Sequence, residues 1–213
     1  MLCSTCSHIV RPIVVSDIDG TLSQYHEDIT RFSSRYFDKA PPTFPYDGFG
    51  PFRDYLELTQ SEHRAMKLAY RQGGNKRFVK PYPNAREVLN GIRSYGVEIW
   101  VATTRPWQRL DNVDPDTREW LRRNGIEIDG LLYGDDKYEQ LIETVDKDRI
   151  VACFEDLPQQ MSFGSLLGLP MYQIYRPHNK TTSARWEPGG SLPEAGRWAL
   201  ERLDHWMDLH AAR

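Results

Sequence analysis

The chain has 213 residues, 39% of them hydrophobic and 27% charged, and a net charge of −3 from 27 Lys and Arg against 30 Asp and Glu. That length suits one domain, or one domain carrying a small insert, and the composition is that of a folded chain rather than a disordered one. No stretch approaches the roughly 18 consecutive apolar residues of a membrane span, and the slight acidity argues against a globally basic nucleic-acid binder.

The stretch Met1 to Val15 lacks the charged, apolar and small-residue pattern of a secretory leader. Three cysteines, Cys3, Cys6 and Cys153, are too few and too odd for a disulfide framework. Both observations lead to the expectation of a cytoplasmic, reducing setting without membrane partners. Cys3 and Cys6 form a C-x-x-C with His8 behind it. A zinc ribbon needs a second ligand pair, so a reduced tail is expected.

Ile13-Val14-Val15 is a short β-branched run that ends at Asp17 and predicts a buried strand. After the Gly20-Thr21 turn, residues 23–80 change character. They are rich in aromatic and charged side chains and are broken by Pro41-Pro42, Pro45, Pro51 and Gly73-Gly74, with 60–70 the most helical part. Val88, Leu89, Ile92 and Tyr95 then share one helical face, with Asn84 as cap and Gly96 as stop. A strand is predicted at 97–102, followed by a helix opened by Asp114-Pro115 and closed at Gly125. Strand 129–133, helix 138–145, strand 150–154, helix 159–167 and strand 171–175 follow. Residues 179–191 read as a polar loop. Residues 193–209 read as a closing helix with Leu200, Leu203, Trp206 and Met207 as its apolar stripe. Such alternation predicts an α/β fold with a parallel sheet and helices on both faces.

In that architecture chemistry gathers at the carboxyl ends of the strands. Four polar signals fall there: Asp17-Ile18-Asp19-Gly20-Thr21, Thr103-Thr104-Arg105-Pro106, Lys137, and Glu155-Asp156. Two carboxylates at i and i+2 of an extended strand end point the same way, so one can attack while the other handles protons. A third acid from a neighbouring strand completes an all-oxygen site of the kind Mg2+ prefers. Hydroxyls and turn N–H groups at the second strand end suit phosphate oxygens, and a lysine supplies fixed positive charge. Arg105 has two readings: contact with the substrate, or bracing of its loop.

VVSDIDGTL resembles the first motif of the haloacid dehalogenase-like (HAD) phosphatase superfamily, WVATTRP is similar to the second, and Lys137 and Phe154-Glu155-Asp156 look like the third and fourth. The resemblance implies a Rossmann-like parallel sheet and a Mg2+-dependent phosphatase. Asp17 would be the nucleophile that forms an aspartyl-phosphate, and Asp19 the general acid and then base. Lys137 would pair with Asp17 and the phosphoryl group. Mg2+ would be held by the Asp17 carboxylate, the Asp19 carbonyl and Asp156. Thr103 would bind phosphate, with Thr104 and Arg105 beside it. The fourth motif departs from the usual acidic pair, and Glu155 is placed no closer than a metal-bound water. The second acid of the first motif favours phosphatases over true dehalogenases, whose first motif lacks it.

The interval between Asp19 and Thr103 far exceeds the helix and strand that end it. Residues 23–80 are therefore expected to form a helical cap inserted after the first strand, with 10–22 and 81–213 as the core domain. A lid over the site favours small substrates. Pro81-Tyr82-Pro83-Asn84-Ala85, WVATTRP and the 117–126 stretch resemble the 5′(3′)-deoxyribonucleotidase group, which implies nucleoside monophosphates as substrates. Tyr25, Phe32, Tyr36 and Phe78 are candidates for stacking on a base. The alternative is a polynucleotide 3′-phosphatase using a basic groove of Arg31, Arg35, Arg64, Arg71, Lys76 and Arg77, although the run Arg71, Lys76, Arg77 and Lys80 also reads as a solvated face. A non-catalytic HAD-fold binding module is the third reading.

Overall fold

The computed structural model describes residues 10–106, 110–180 and 188–211, so Cys3 and Cys6 lie outside the described residues. Strands β1 (Ile13–Ser16), β2 (Glu98–Thr103), β3 (Gly130–Tyr133), β4 (Ile150–Glu155), β5 (Met171–Ile174) and β6 (Gly189–Gly190) form one sheet in the order β3-β2-β1-β4-β5-β6. Every pairing is parallel. The helices are α1 (Tyr25–Phe37), α2 (Phe52–Tyr55), α3 (Gln60–Gln72), α4 (Ala85–Arg93), α5 (Val113–Arg123), α6 (Lys137–Thr144), α7 (Pro158–Leu166) and α8 (Leu192–Ala211).

Helices cover both faces of the sheet, and alternation along β1 shows how. Ile13 and Val15 pack with Tyr138 and Leu141 of α6 and Met161 of α7. Val14 and Ile18 pack with Leu89 of α4, Trp120 of α5 and Ala199 and Leu203 of α8. With both faces covered, β1 and β4 are buried at every position, which is why they read as unbroken apolar runs. Ser16 lies opposite Val101 on one side and Phe154 on the other, so β1 is central and the strand ends line up at one edge. The chain winds outward from β1 through β2 to β3, then returns to β4 on the other side. That reversal creates the crevice in which open α/β sheets place their ligands.

The insert after β1 contains α1 to α3. Its two ends are joined by Gln24 N donating to Lys80 O at 2.9 Å and Tyr82 N donating to Leu22 O at 2.7 Å. A reciprocal cap starts α3: Glu62 N donates to Thr59 Oγ1, and Thr59 N donates to Glu62 Oε2. Ile29, Met66 and Tyr70 are buried in the same apolar cluster as Val14 and Leu89, so the insert packs on the sheet layer through a continuous core.

Several elements differ from the sequence expectation. A sixth strand, Gly189–Gly190, pairs with β5 inside the stretch read as loop. Two glycines carry no side-chain pattern to announce it. Helix α5 begins at Val113, one residue before Asp114-Pro115, and Pro115 occupies its first turn, where a missing N–H costs nothing. Asn84 precedes α4 in a left-handed conformation (φ 66°) and makes no side-chain cap. In α8 the buried side is Leu192, Ala195, Ala199 and Leu203, whereas Met207 is 42% exposed. The small residues win because α8 lies close to α4: a Cβ on Gly196 would sit 2.9 Å from Val88. No helix among the described residues is long and apolar enough to cross a membrane.

Candidate active site

Asp17 follows β1 directly, and its N–H donates to Phe154 O at 3.0 Å, which ties it to β4. Lys137, the first residue of α6, places Nζ 2.9 Å from Asp17 Oδ1 and 2.6 Å from Glu155 Oε2. Tyr138 OH donates to the same Glu155 oxygen at 2.9 Å, and the N–H groups of Asp156 and Leu157 donate to the other at 3.0 Å. Glu155 is thus engaged on both oxygens. It clamps Lys137 against Asp17.

Asp156 is equally fixed. Thr21 Oγ1 donates to its Oδ1 at 2.7 Å, His178 Nε2 lies 2.6 Å from its Oδ2, and Asn179 Nδ2 donates to its backbone oxygen at 2.8 Å. The Gly20 of the first motif is required here. Its φ is +99°, and a Cβ would fall 2.1 Å from Asp156 Oδ2. His178 and Asn179 were not singled out from the sequence, where they lie in a polar stretch without a motif.

Carboxylate oxygens of Asp17, Glu155 and Asp156 lie within 4.8 Å of one another and all three residues are buried. Among the described residues Lys137 is the lysine that compensates them. Burial pushes Asp17 up to about 8, because Glu155, Asp156 and Asp19 add to desolvation and outweigh Lys137. Lys137 is held protonated, above the usual lysine range, since Asp17 and Glu155 overcome its burial. Burial also opposes the charge on Asp156, but hydrogen bonding from His178 and Thr21 holds it below the ordinary carboxylate value. An excess of buried acid with oxygen donors only suits a hard divalent cation.

Asp19 points to different partners. Arg105 Nε donates to its Oδ2 at 3.1 Å and Arg105 Nη2 to its Oδ1 at 2.7 Å, while Lys76 pairs with the same carboxylate. These cations overcome burial and hold Asp19 ionised, well below the usual carboxylate range. Arg105 is 2% exposed and its Nη1 donates to Thr117 Oγ1 at 3.0 Å. These contacts brace the loop, since a buried guanidinium needs acceptors and Asp19 and Thr117 supply them, and Arg105 also lines the cavity as its substrate reading requires. Lys76, read within a solvated basic run, is instead 4% exposed, with its ammonium 3.6 Å from the centre of the Tyr25 ring. Burial lowers it to about 7 even with Asp19 opposing.

Thr103 ends β2 fully buried, and its Oγ1 has no hydrogen-bond partner among the described residues, which leaves a donor for a phosphate oxygen. Thr104, Arg105 and Asp19 line a cavity of about 630 Å³ together with Tyr25, Lys67, Arg71 and Lys76 of the insert. Of the four aromatics considered for base stacking, only Tyr25 lines it. Phe32 packs against Tyr70 and Tyr36, and Phe78 is 59% exposed beside Arg123. The six basic residues considered as a groove are likewise dispersed. Arg71 and Lys76 line the cavity, Arg77 pairs with Asp116, Arg31 lies near Asp28, and Arg35 and Arg64 are exposed.

No protein-family model and no curated protein matches the chain in sequence. Solved structures do match in fold. A haloacid dehalogenase-like family hydrolase from Streptococcus pneumoniae superposes with a TM-score of 0.60 at 12% identity, over 92% of this chain and 99% of that one. A predicted phosphatase from Clostridium acetobutylicum gives 0.60 at 18% identity, over 90% and 99%. CbbY from Rhodobacter sphaeroides, in complex with phosphate, gives 0.59 at 16% identity, over 86% and 96%. With its parallel sheet, its helical insert after β1 and its acidic cluster at the strand ends, the chain has the Rossmann-like α/β fold of the HAD-superfamily hydrolases.

Proposed function

We propose that this chain is a phosphomonoesterase that works through an aspartyl-phosphate on Asp17. The observation that carries the reading is the buried cluster of Asp17, Lys137, Glu155 and Asp156. Fold neighbours described as phosphatases, and a further neighbour in complex with phosphate, support it.

Asp17 attacks the phosphorus, forming an aspartyl-phosphate bond as the ester P–O bond breaks. Lys137 holds the attacking carboxylate in place and offsets charge on the phosphoryl oxygens, and the free Thr103 hydroxyl donates to one of them. Asp17 and Asp156 would hold Mg2+, which when bound would supply charge to offset repulsion between these acids and the phosphate. Asp19 then takes a proton from the water that hydrolyses the aspartyl-phosphate and passes it to the leaving oxygen of the next substrate. Ionised by Arg105 and Lys76, Asp19 is ready as the base. To act as the acid it must first loosen one of those cations. The insert 23–80 serves as a cap that excludes water and favours small substrates.

Nucleoside monophosphates are the first substrates to try, on the motif resemblance of 81–126. The test is phosphate release with Mg2+ and with EDTA over nucleoside monophosphates, sugar phosphates and 3′-phosphorylated oligonucleotides, with Asp17→Asn as control. Absence of Mg2+-dependent release from every class would refute the reading and favour a non-catalytic module.

A further inference from the structure

Lys67 and Arg71 stand four residues apart on α3, so they share one face of that helix, and both line the cavity. Like charges at this spacing destabilise a helix. Both are partly buried, which removes part of the water that would screen them. Elsewhere in the site cations are matched: Lys76 and Arg105 on Asp19, Lys137 on Asp17 and Glu155. Lys67 and Arg71 have no acid partner among the described residues. Burial lowers Lys67, and the next influence on it is Arg71, of the same sign. Among the described residues Asp19 is the acid that acts on it, and Asp19 is already engaged by Lys76 and Arg105. Asp135 and Asp136 also line the cavity but are exposed at its β3 side, and neither figures among the charges acting on Lys67.

We propose that Lys67 and Arg71 bind a second anionic group of the substrate, a carboxylate or a second phosphate remote from the phosphoryl group that reacts at Asp17. This rests on the phosphomonoesterase reading and narrows its substrate class. An uncompensated cation pair on a cavity wall costs stability when the cavity is empty and is relieved by a bound anion. A neutral hydroxyl offers no such compensation. A nucleoside monophosphate places its only charge at the reacting end, so the pair favours a doubly anionic substrate over it.

The test compares matched probes with the full chain and Mg2+. One arm sets 3-phosphoglycerate against glycerol 3-phosphate. The other sets adenosine 3′,5′-bisphosphate against adenosine 5′-monophosphate. We expect the doubly anionic member of at least one pair to have the higher kcat/KM, and the arm in which it does identifies the anion as carboxylate or phosphate. Lys67→Gln and Arg71→Gln should each reduce that preference about tenfold, chiefly through KM, while Lys67→Arg and Arg71→Lys retain most of it. A wild-type ratio near one in both arms, or a ratio unmoved by the Gln variants, overturns the proposal. Calorimetric binding of the same four probes to Asp17→Asn reads the preference without turnover. If no probe is hydrolysed but the doubly anionic ones bind more tightly in a manner that requires Lys67 and Arg71, the anion site stands and the phosphatase reading falls. Equal binding of all four rejects the anion site.

Discussion

Arg105 and Asp19, 86 positions apart in sequence, are joined by hydrogen bonds of 3.1 and 2.7 Å, with the arginine 2% exposed. This pair links the second strand end to the first and, together with Lys76, holds Asp19, the acid proposed to handle protons, in its ionised form. Arg105→Met should destabilise the fold by about 3–5 kcal/mol, the cost of leaving a buried charge short of its partner. Arg105→Lys keeps the charge but cannot reach both Asp19 and Thr117 with a planar fork, so an intermediate loss is expected. Urea unfolding measures both. A change in Arg105→Met within about 0.5 kcal/mol, as for an ordinary surface site, would contradict the bracing role.

Asp17→Asn should lower phosphate release at least roughly a thousandfold, as removal of a covalent nucleophile does, and leave the circular dichroism spectrum unchanged. Retained Lys137–Glu155 pairing keeps the lysine compensated in this variant. Near-wild-type turnover would remove Asp17 from the nucleophile position.

The acid cluster predicts an unusual pH dependence in chelator. Asp17 is raised from 3.8 to about 8, so the folded chain holds a proton there that the unfolded chain releases. Its contribution to stability is fully present below the ordinary value and is lost as pH rises through the folded one, a window from about 4 to 8. Asp19, held low, has the opposite sign: its contribution is present above 3.8 and lost in acid below that. Lys76, lowered from 10.5 to about 7, gains stability over the same pH range and opposes Asp17, so the reading is the difference between chains. From pH 6 to pH 8 in EDTA the melting temperature of the wild type should change in the less favourable direction relative to Asp17→Asn, in which the Lys76 contribution remains. Mg2+ competes with the proton on Asp17, so its stabilisation should be larger at pH 8 than at pH 6. Equal Mg2+ shifts at the two pH values would sink the assignment of Asp17 to the cation site.

Gly20→Ala combines a left-handed backbone with a Cβ driven into Asp156. Strain of this kind costs on the order of 1–3 kcal/mol. Because the clash falls on Asp156, a carboxylate proposed to hold Mg2+, the Mg2+ concentration for half-maximal activity should rise as well. Thermal melts and a Mg2+ titration check the two effects separately. A variant with wild-type values in both would show that the turn has room the geometry denies it.

Much of the molecule is legible in the residues themselves. Unbroken β-branched runs, helices of about three turns between them and polar residues directly after each strand specify a parallel sheet with its chemistry at one rim. Backbone hydrogen bonding and two-sided burial leave that pattern few other solutions. The sequence also placed Asp17 and Asp156 at the ends of β1 and β4, which are neighbours in the sheet, and Lys137 after β3, from which it reaches them at the start of α6. Beyond the Lys137–Asp17 pair that the motif resemblance implies, the partners of charge were decided by the tertiary structure. Lys76 looks like any surface lysine until the insert folds back and buries it on Asp19. His178 carries no motif, yet it holds Asp156, and Glu155 turns out to grip Lys137. A buried charge takes whichever opposite group the packed chain brings within reach, and that proximity is set by the whole fold, not by neighbours along the sequence.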